Sequence, residues 1–62
     1  MHREIRTILL VDGSAAFLFD LGLLLRRLEY RVDTARNAED ALQIMKSSVP
    51  SIIMTEIVLS GM

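Results

Sequence analysis

The chain has 62 residues, of which 52% are hydrophobic, with three Gly, one Pro and no Cys; seven Lys and Arg against eight Asp and Glu leave a formal charge of −1. A chain of this length buries only about 60% of the surface its unfolded form exposes, which excludes a multidomain enzyme, while the apolar content and the scarcity of breakers exclude a disordered tail. The near-neutral balance supplies no field to draw in nucleic acid or anionic lipid, and without cysteine there is neither a disulfide framework nor a thiolate metal site.

The chain opens on Met1-His2-Arg3-Glu4-Ile5-Arg6, and its single histidine, His2, reads as a solvated terminal side chain. The apolar run that follows, Ile8-Leu9-Leu10-Val11, is shorter than the roughly 7–15 residues of a signal-peptide core. No segment approaches the ~20 apolar residues of a membrane span, so the expectation is a soluble, cytoplasmic protein with no membrane partner. That run, closed by Asp12-Gly13-Ser14, predicts a strand buried on both faces, as in a parallel sheet.

From Ala15 to Leu28, Phe17, Leu21, Leu24 and Leu28 recur at helical spacing with Leu18 and Leu25 beside them, and Ser14 is a suitable N-cap. This predicts a helix laying that stripe on the sheet. Tyr30 to Ala35 alternates Tyr30, Val32 and Thr34 with Arg31 and Asp33, the pattern of an outer strand with one wet face. Asn37 then precedes Ala38 to Lys46, a second, shorter helix with acids in its first turn and a lysine in its last. Ser47-Ser48-Val49-Pro50 ends it, and Ile52-Ile53-Met54 begins a third strand expected to end near Glu56 or Ile57. The predicted order is β-α-β-α-β, a parallel sheet with right-handed crossovers that makes up one half of a doubly wound α/β domain. The apolar character of the third strand calls for neighbours on both sides, and an open edge there invites another chain.

In open α/β sheets ligands bind beyond the carboxyl ends of the strands, where the strand order reverses. Asp12 closes the first strand and Glu56 lies near the end of the third, so the two acids could meet there and hold a hard cation such as Mg²⁺. On spacing alone the plainer reading stands ahead: Asp12 as a turn residue before Gly13, and Glu56 as a solvated acid. A dinucleotide site is disfavoured, because its first turn needs G-x-G-x-x-G and this turn offers Gly13 alone.

Ile8-Leu9-Leu10-Val11-Asp12-Gly13-Ser14, Tyr30-Arg31-Val32, Ala35-Arg36-Asn37-Ala38-Glu39-Asp40-Ala41-Leu42 and Pro50-Ser51-Ile52-Ile53-Met54-Thr55-Glu56 through Ser60-Gly61-Met62 together resemble the first half of a response-regulator receiver domain of the CheY-like kind. The resemblance runs without a gap over residues 1–62 and implies a flavodoxin-like fold, of which the chain carries three strands and two helices and not the C-terminal half. It also implies a place in two-component signalling, a histidine kinase as partner, Mg²⁺ as cofactor and Glu56 at the phospho-acceptor position.

Several positions depart from the family pattern. Gly13 stands where a second metal-binding acid is expected, and Glu56 where the family has its phospho-accepting Asp. A carboxylate one methylene farther out is displaced from the attack position, and about 1 Å of misplacement costs roughly a hundredfold in rate. The family's Ser/Thr and Lys from later strands have no counterpart in the chain, which leaves little to neutralise transition-state charge. Ser51, Ser60, Glu29 and Ala38 also replace frequent family residues; if Glu29 takes φ > 0 at the helix end, the cost is about 1 kcal/mol. The expectation is a degenerate receiver-like module, not an enzyme, acting through protein–protein contact. The alternative is the N-terminal part of a phospho-signalling regulator in which Glu56 mimics the activated state.

Phe19 and Leu23 lie about 200° and 240° around the first helix from Phe17, pointing away from the predicted stripe. With Ile53 and Ile57 of the third strand they are the candidate interface residues, and a homodimer is the simplest completion. Arg26, Arg27, Arg31 and Arg36, interspersed with Glu29 and Asp33, read as a solvated surface and not as a nucleic-acid site.

Overall fold

The computed structural model describes residues 6–55. Its elements are β1 (Thr7–Val11), α1 (Ala15–Arg27), β2 (Arg31–Ala35), α2 (Ala38–Ser47) and β3 (Ile52–Thr55). The strands form one parallel sheet in the order β2-β1-β3, with Ile8 beside Val32 on one side and Ile52 on the other. The protein is thus α/β with three parallel strands and two helices. The chain steps outward from β1 to β2 and then crosses back over β1 to β3. Right-handed crossovers in these opposite directions place the two helices on opposite faces of the sheet.

Each face has its own small core. Ile8, Leu10 and Val32 meet Leu18 of α1, with Leu21, Leu25 and Tyr30 packed around them. On the other face Leu9 and Ala35 meet Ala41 of α2, flanked by Val11, Ile44 and Met45. β1 is therefore apolar at every position between its ends because both of its faces are covered, with Leu9 and Leu10 fully buried.

The two helix starts follow their caps. Ser14 Oγ accepts the Phe17 N–H at 3.2 Å, and Asn37 Oδ1 accepts the Asp40 N–H at 2.8 Å. Each cap satisfies a backbone donor that the first turn leaves without an intrahelical partner. At the end of α1, the Glu29 N–H donates to the Arg26 carbonyl at 2.9 Å and the Tyr30 N–H to the Leu25 carbonyl at 3.1 Å. This pair of bonds is a Schellman motif, which needs its outer residue in the left-handed region. Glu29 occupies that position with φ 71°, at the cost expected for a residue with a Cβ.

One expectation is corrected. The face of α1 that packs on the sheet is Leu18, Leu21, Gly22 and Leu25, and Phe17, Leu24 and Leu28 are exposed. The packed face is rotated by about one residue, ~100°, from the predicted stripe. The helix is apolar on more than one side, and the side that packs carries Gly22, where a Cβ would meet Val32 Cγ1 at an ordinary 3.7 Å and the movable Arg26 Nη1 at 3.3 Å.

Candidate functional site

β1 and β3 end side by side, with Val11 and Thr55 as register partners, and the strand order reverses at β1. This is the place where open parallel sheets form ligand crevices. A cavity of about 450 Å³ opens there between α1 and β3, walled by Phe17, Leu18, Leu21 and Met54, with Asp12 and Ser14 at its rim. Its walls are mainly apolar, so it suits a hydrophobic side chain better than a phosphate group.

Asp12 lies at the switch point, as expected, but its hydrogen bonds are local. Its backbone N–H donates to the Ala35 carbonyl at 3.0 Å, which extends the β1–β2 ladder by one step. Its Oδ1 accepts the Ser14 N–H at 2.8 Å, closing an Asx turn that leads into α1. Gly13 presents its carbonyl oxygen to Arg36, whose Nη2 donates at 2.8 Å and Nε at 3.1 Å. A Cβ at Gly13 would meet nothing within 4 Å, so a larger residue has room there.

Sequence reasoning read Arg26 and Arg36 as solvated, and both are exposed, but it did not foresee the carbonyls they reach: Arg36 that of Gly13, and Arg26, from Nη2, that of Val32 at 3.2 Å. The signal for Arg36 lay in the strand register. Once Val11 pairs with Ala35, the residues just after each strand are neighbours, and a long donor at 36 reaches the carbonyl at 13.

A divalent cation requires several oxygen ligands at short range. Among the described residues no group of three or more His, Cys, Asp or Glu side chains could hold a metal ion. Asp12 is engaged by the turn, and the neighbouring carbonyl is occupied by a guanidinium. With one carboxylate and a guanidinium at this rim, the described residues do not make up a Mg²⁺ site by themselves. Glu56, the expected phospho-acceptor position, and Ile57, one of the candidate interface residues, lie outside the described residues, as does His2.

The other candidate interface residues are exposed: Phe19 at 67%, Leu23 at 42% and Ile53 at 51%. Ile53 does not stand alone, because Ile52 and Met54 are exposed as well. The register puts Ile52 and Met54 on the α1 face, beside Ile8 and Leu10, and Ile53 on the α2 face, beside Leu9. Both helices pack on β1 and β2, and neither covers β3. Among the described residues no helix is long and apolar enough to cross a membrane.

No protein-family model, no curated protein and no solved structure gives a significant match to the chain. The functional reading rests on the residues themselves.

Proposed function

We propose that the protein is a degenerate receiver-like module of two-component signalling, of the flavodoxin-like class and located in the cytoplasm. It acts by protein–protein contact and not by phosphoryl transfer. The observation that carries this reading is β3, an apolar strand that the described residues leave uncovered on both faces at the edge of the sheet. The strand order β2-β1-β3 supports the fold class, since an order that reverses at the first strand is shared with flavodoxin-like domains. The absent second acid at Gly13 and the engaged carboxylate of Asp12 support the non-enzymatic part.

The first partner to consider is a second copy. The Ser51 N–H donates to the Thr7 carbonyl, so by strand alternation the N–H and C=O groups of Ile52 and Met54 point away from β1. Antiparallel pairing of two copies about Ile53 sets Ile52 of each against Met54 of the other, with mutual hydrogen bonds, and Ile53 against its own counterpart. These three pairs are apolar, Thr55 meets Ser51 beyond them, and no like charges oppose each other among them. Ile57 is assigned to the same association, whereas Phe19 lines a hollow with Thr34 and Arg36 on the β2 side of α1, away from this edge, with Leu23 one helical turn on. A histidine kinase enters only through the family resemblance.

Sedimentation velocity over a concentration series tests the association. A discrete dimer that Ile53→Lys converts to monomer is the expected result. A monomer throughout, or an open ladder of sizes, overturns it. For the chemistry, incubation with acetyl phosphate and Mg²⁺ is expected to leave the mass of the protein unchanged, and a phosphorylated Glu56 would overturn the non-enzymatic reading.

A further inference from the structure

We infer that the guanidinium of Arg36 is the resident cation of the rim where β1 and β2 end, and that it holds the β1–α1 turn closed to a divalent metal ion. Arg36 reaches across 23 positions to the Gly13 carbonyl, and its Nε and Nη2 both donate to that single oxygen. A carbonyl oxygen has two lone pairs, so this arrangement takes up both. The adjacent Asp12 carboxylate is turned back onto the Ser14 N–H, and the Ser14 hydroxyl onto the Phe17 N–H. A hard cation arriving here would find the Gly13 carbonyl and the Asp12 Oδ1 already hydrogen-bonded, with Asp12 Oδ2 as its remaining approach. It would also face a fixed positive charge a few ångströms away.

The same contact has a mechanical consequence. Arg36 directly precedes Asn37, the cap of α2, and Gly13 directly precedes Ser14, the cap of α1. One side chain thereby ties together the starts of two helices that lie on opposite faces of the sheet. In a metal-dependent rim a bound ion would supply such a tie, and here the protein's own cation supplies it. The missing acid at position 13 is not excluded by crowding, since the space beyond Gly13 is open. This inference stands apart from the self-association reading and survives its failure.

The test uses the full 62-residue chain and Mn²⁺ alone as the probe, read as selective broadening of the backbone amide signals of residues 12–14. The wild type is expected to show no saturable broadening. Gly13→Asp supplies a carboxylate in the open space, and Gly13→Asp combined with Arg36→Gln removes the competing charge. The double variant is expected to bind Mn²⁺ about tenfold more tightly than Gly13→Asp alone. Saturable binding by the wild type, or equal affinity of the single and double variants, overturns the inference. The wild type offers a second readout that needs no substitution: an Arg36 Nε–H signal resolved from the other arginines and unmoved by Mg²⁺. An Arg36 signal merged with the free-arginine envelope, or shifted by Mg²⁺, also overturns it.

Discussion

β2 and β3 both pair in parallel with β1, but the surfaces they present differ in kind. β2 buries Val32 on the α1 face and Ala35 on the α2 face and exposes Arg31 and Thr34, so both helices pack against it and neither face is wholly wet, as its sequence pattern had predicted of one. The Arg31 N–H faces β1, where it donates to the Arg6 carbonyl. By alternation the carbonyl of Val32 points outward, and Arg26 caps it. A charged, partly capped edge of this kind resists pairing with another chain. Among the described residues Ile52, Ile53 and Met54 of β3 have none of these protections. Its Ile-Ile-Met run carries no charge, and neither helix covers it. The contrast shows that a half-exposed apolar strand at the edge of a sheet is a surface still to be buried, whereas β2 is a finished edge.

The largest expected effect separates buried strand from bare strand. Leu10 is 1% exposed, and Leu10→Ala is expected to cost about 2–5 kcal/mol. For a domain this small, with stability of roughly 3–9 kcal/mol, that loss approaches or exceeds the whole. Ile53→Ala on β3 is expected to cost under about 1 kcal/mol in the monomer, because half of that side chain is already in water. Urea denaturation of the two variants at low protein concentration checks the difference. Equal losses would mean that β3 is packed as β1 is.

A second substitution probes how β2 is covered. Gly22→Val forces a branched side chain against Val32 and the Arg26 guanidinium, and a loss of about 1–3 kcal/mol is expected. In Gly22→Ala, the gain of about 1 kcal/mol in helix propensity offsets a contact made mainly with the movable end of Arg26, leaving the variant close to neutral. Thermal melts of the pair check both expectations. A neutral Gly22→Val would mean that α1 does not depend on close approach to β2.

The smallest effect lies in the turn that delivers β2. Glu29→Gly removes a Cβ from a left-handed position and is expected to raise stability by about 0.5–1 kcal/mol. An unchanged or lowered midpoint in the same melts would show that an interaction of the Glu29 side chain outweighs the backbone strain.

Much of the frame was legible in the sequence because it is set by local rules. Ser14 and Asn37 each sit just before a helical pattern and cap it, and the alternation of Tyr30 to Ala35 marked an outer strand. The left-handed position at Glu29 was anticipated only through the family resemblance, in which Glu29 replaces a frequent residue at the helix end. The packed face of α1 was not legible by hydrophobicity. Phe17, Leu18, Phe19, Leu21, Leu23, Leu24, Leu25 and Leu28 surround the helix, so more than one apolar stripe competes. The stripe that packs, Leu18, Leu21 and Leu25, is settled by its contacts with Ile8, Leu10 and Val32, and an apolar count does not rank it above the others. In the candidate site, the position of Asp12 at the end of β1 followed from the strand pattern. The Arg36 clamp did not, because it depends on register, and register was fixed only by pairing β1 with β2.

Amide hydrogen exchange at single residues, followed as the protein is concentrated, tests the central contrast most directly. Ile52 and Met54 on β3 and Val32 and Thr34 on β2 all point their N–H groups away from β1 by strand alternation. The account predicts that exchange at Ile52 and Met54 slows as concentration rises, while Val32 and Thr34 keep their rates. If all four residues exchange at concentration-independent rates, or if the β2 pair slows as much as the β3 pair, the claim that β3 is the surface awaiting a partner is contradicted.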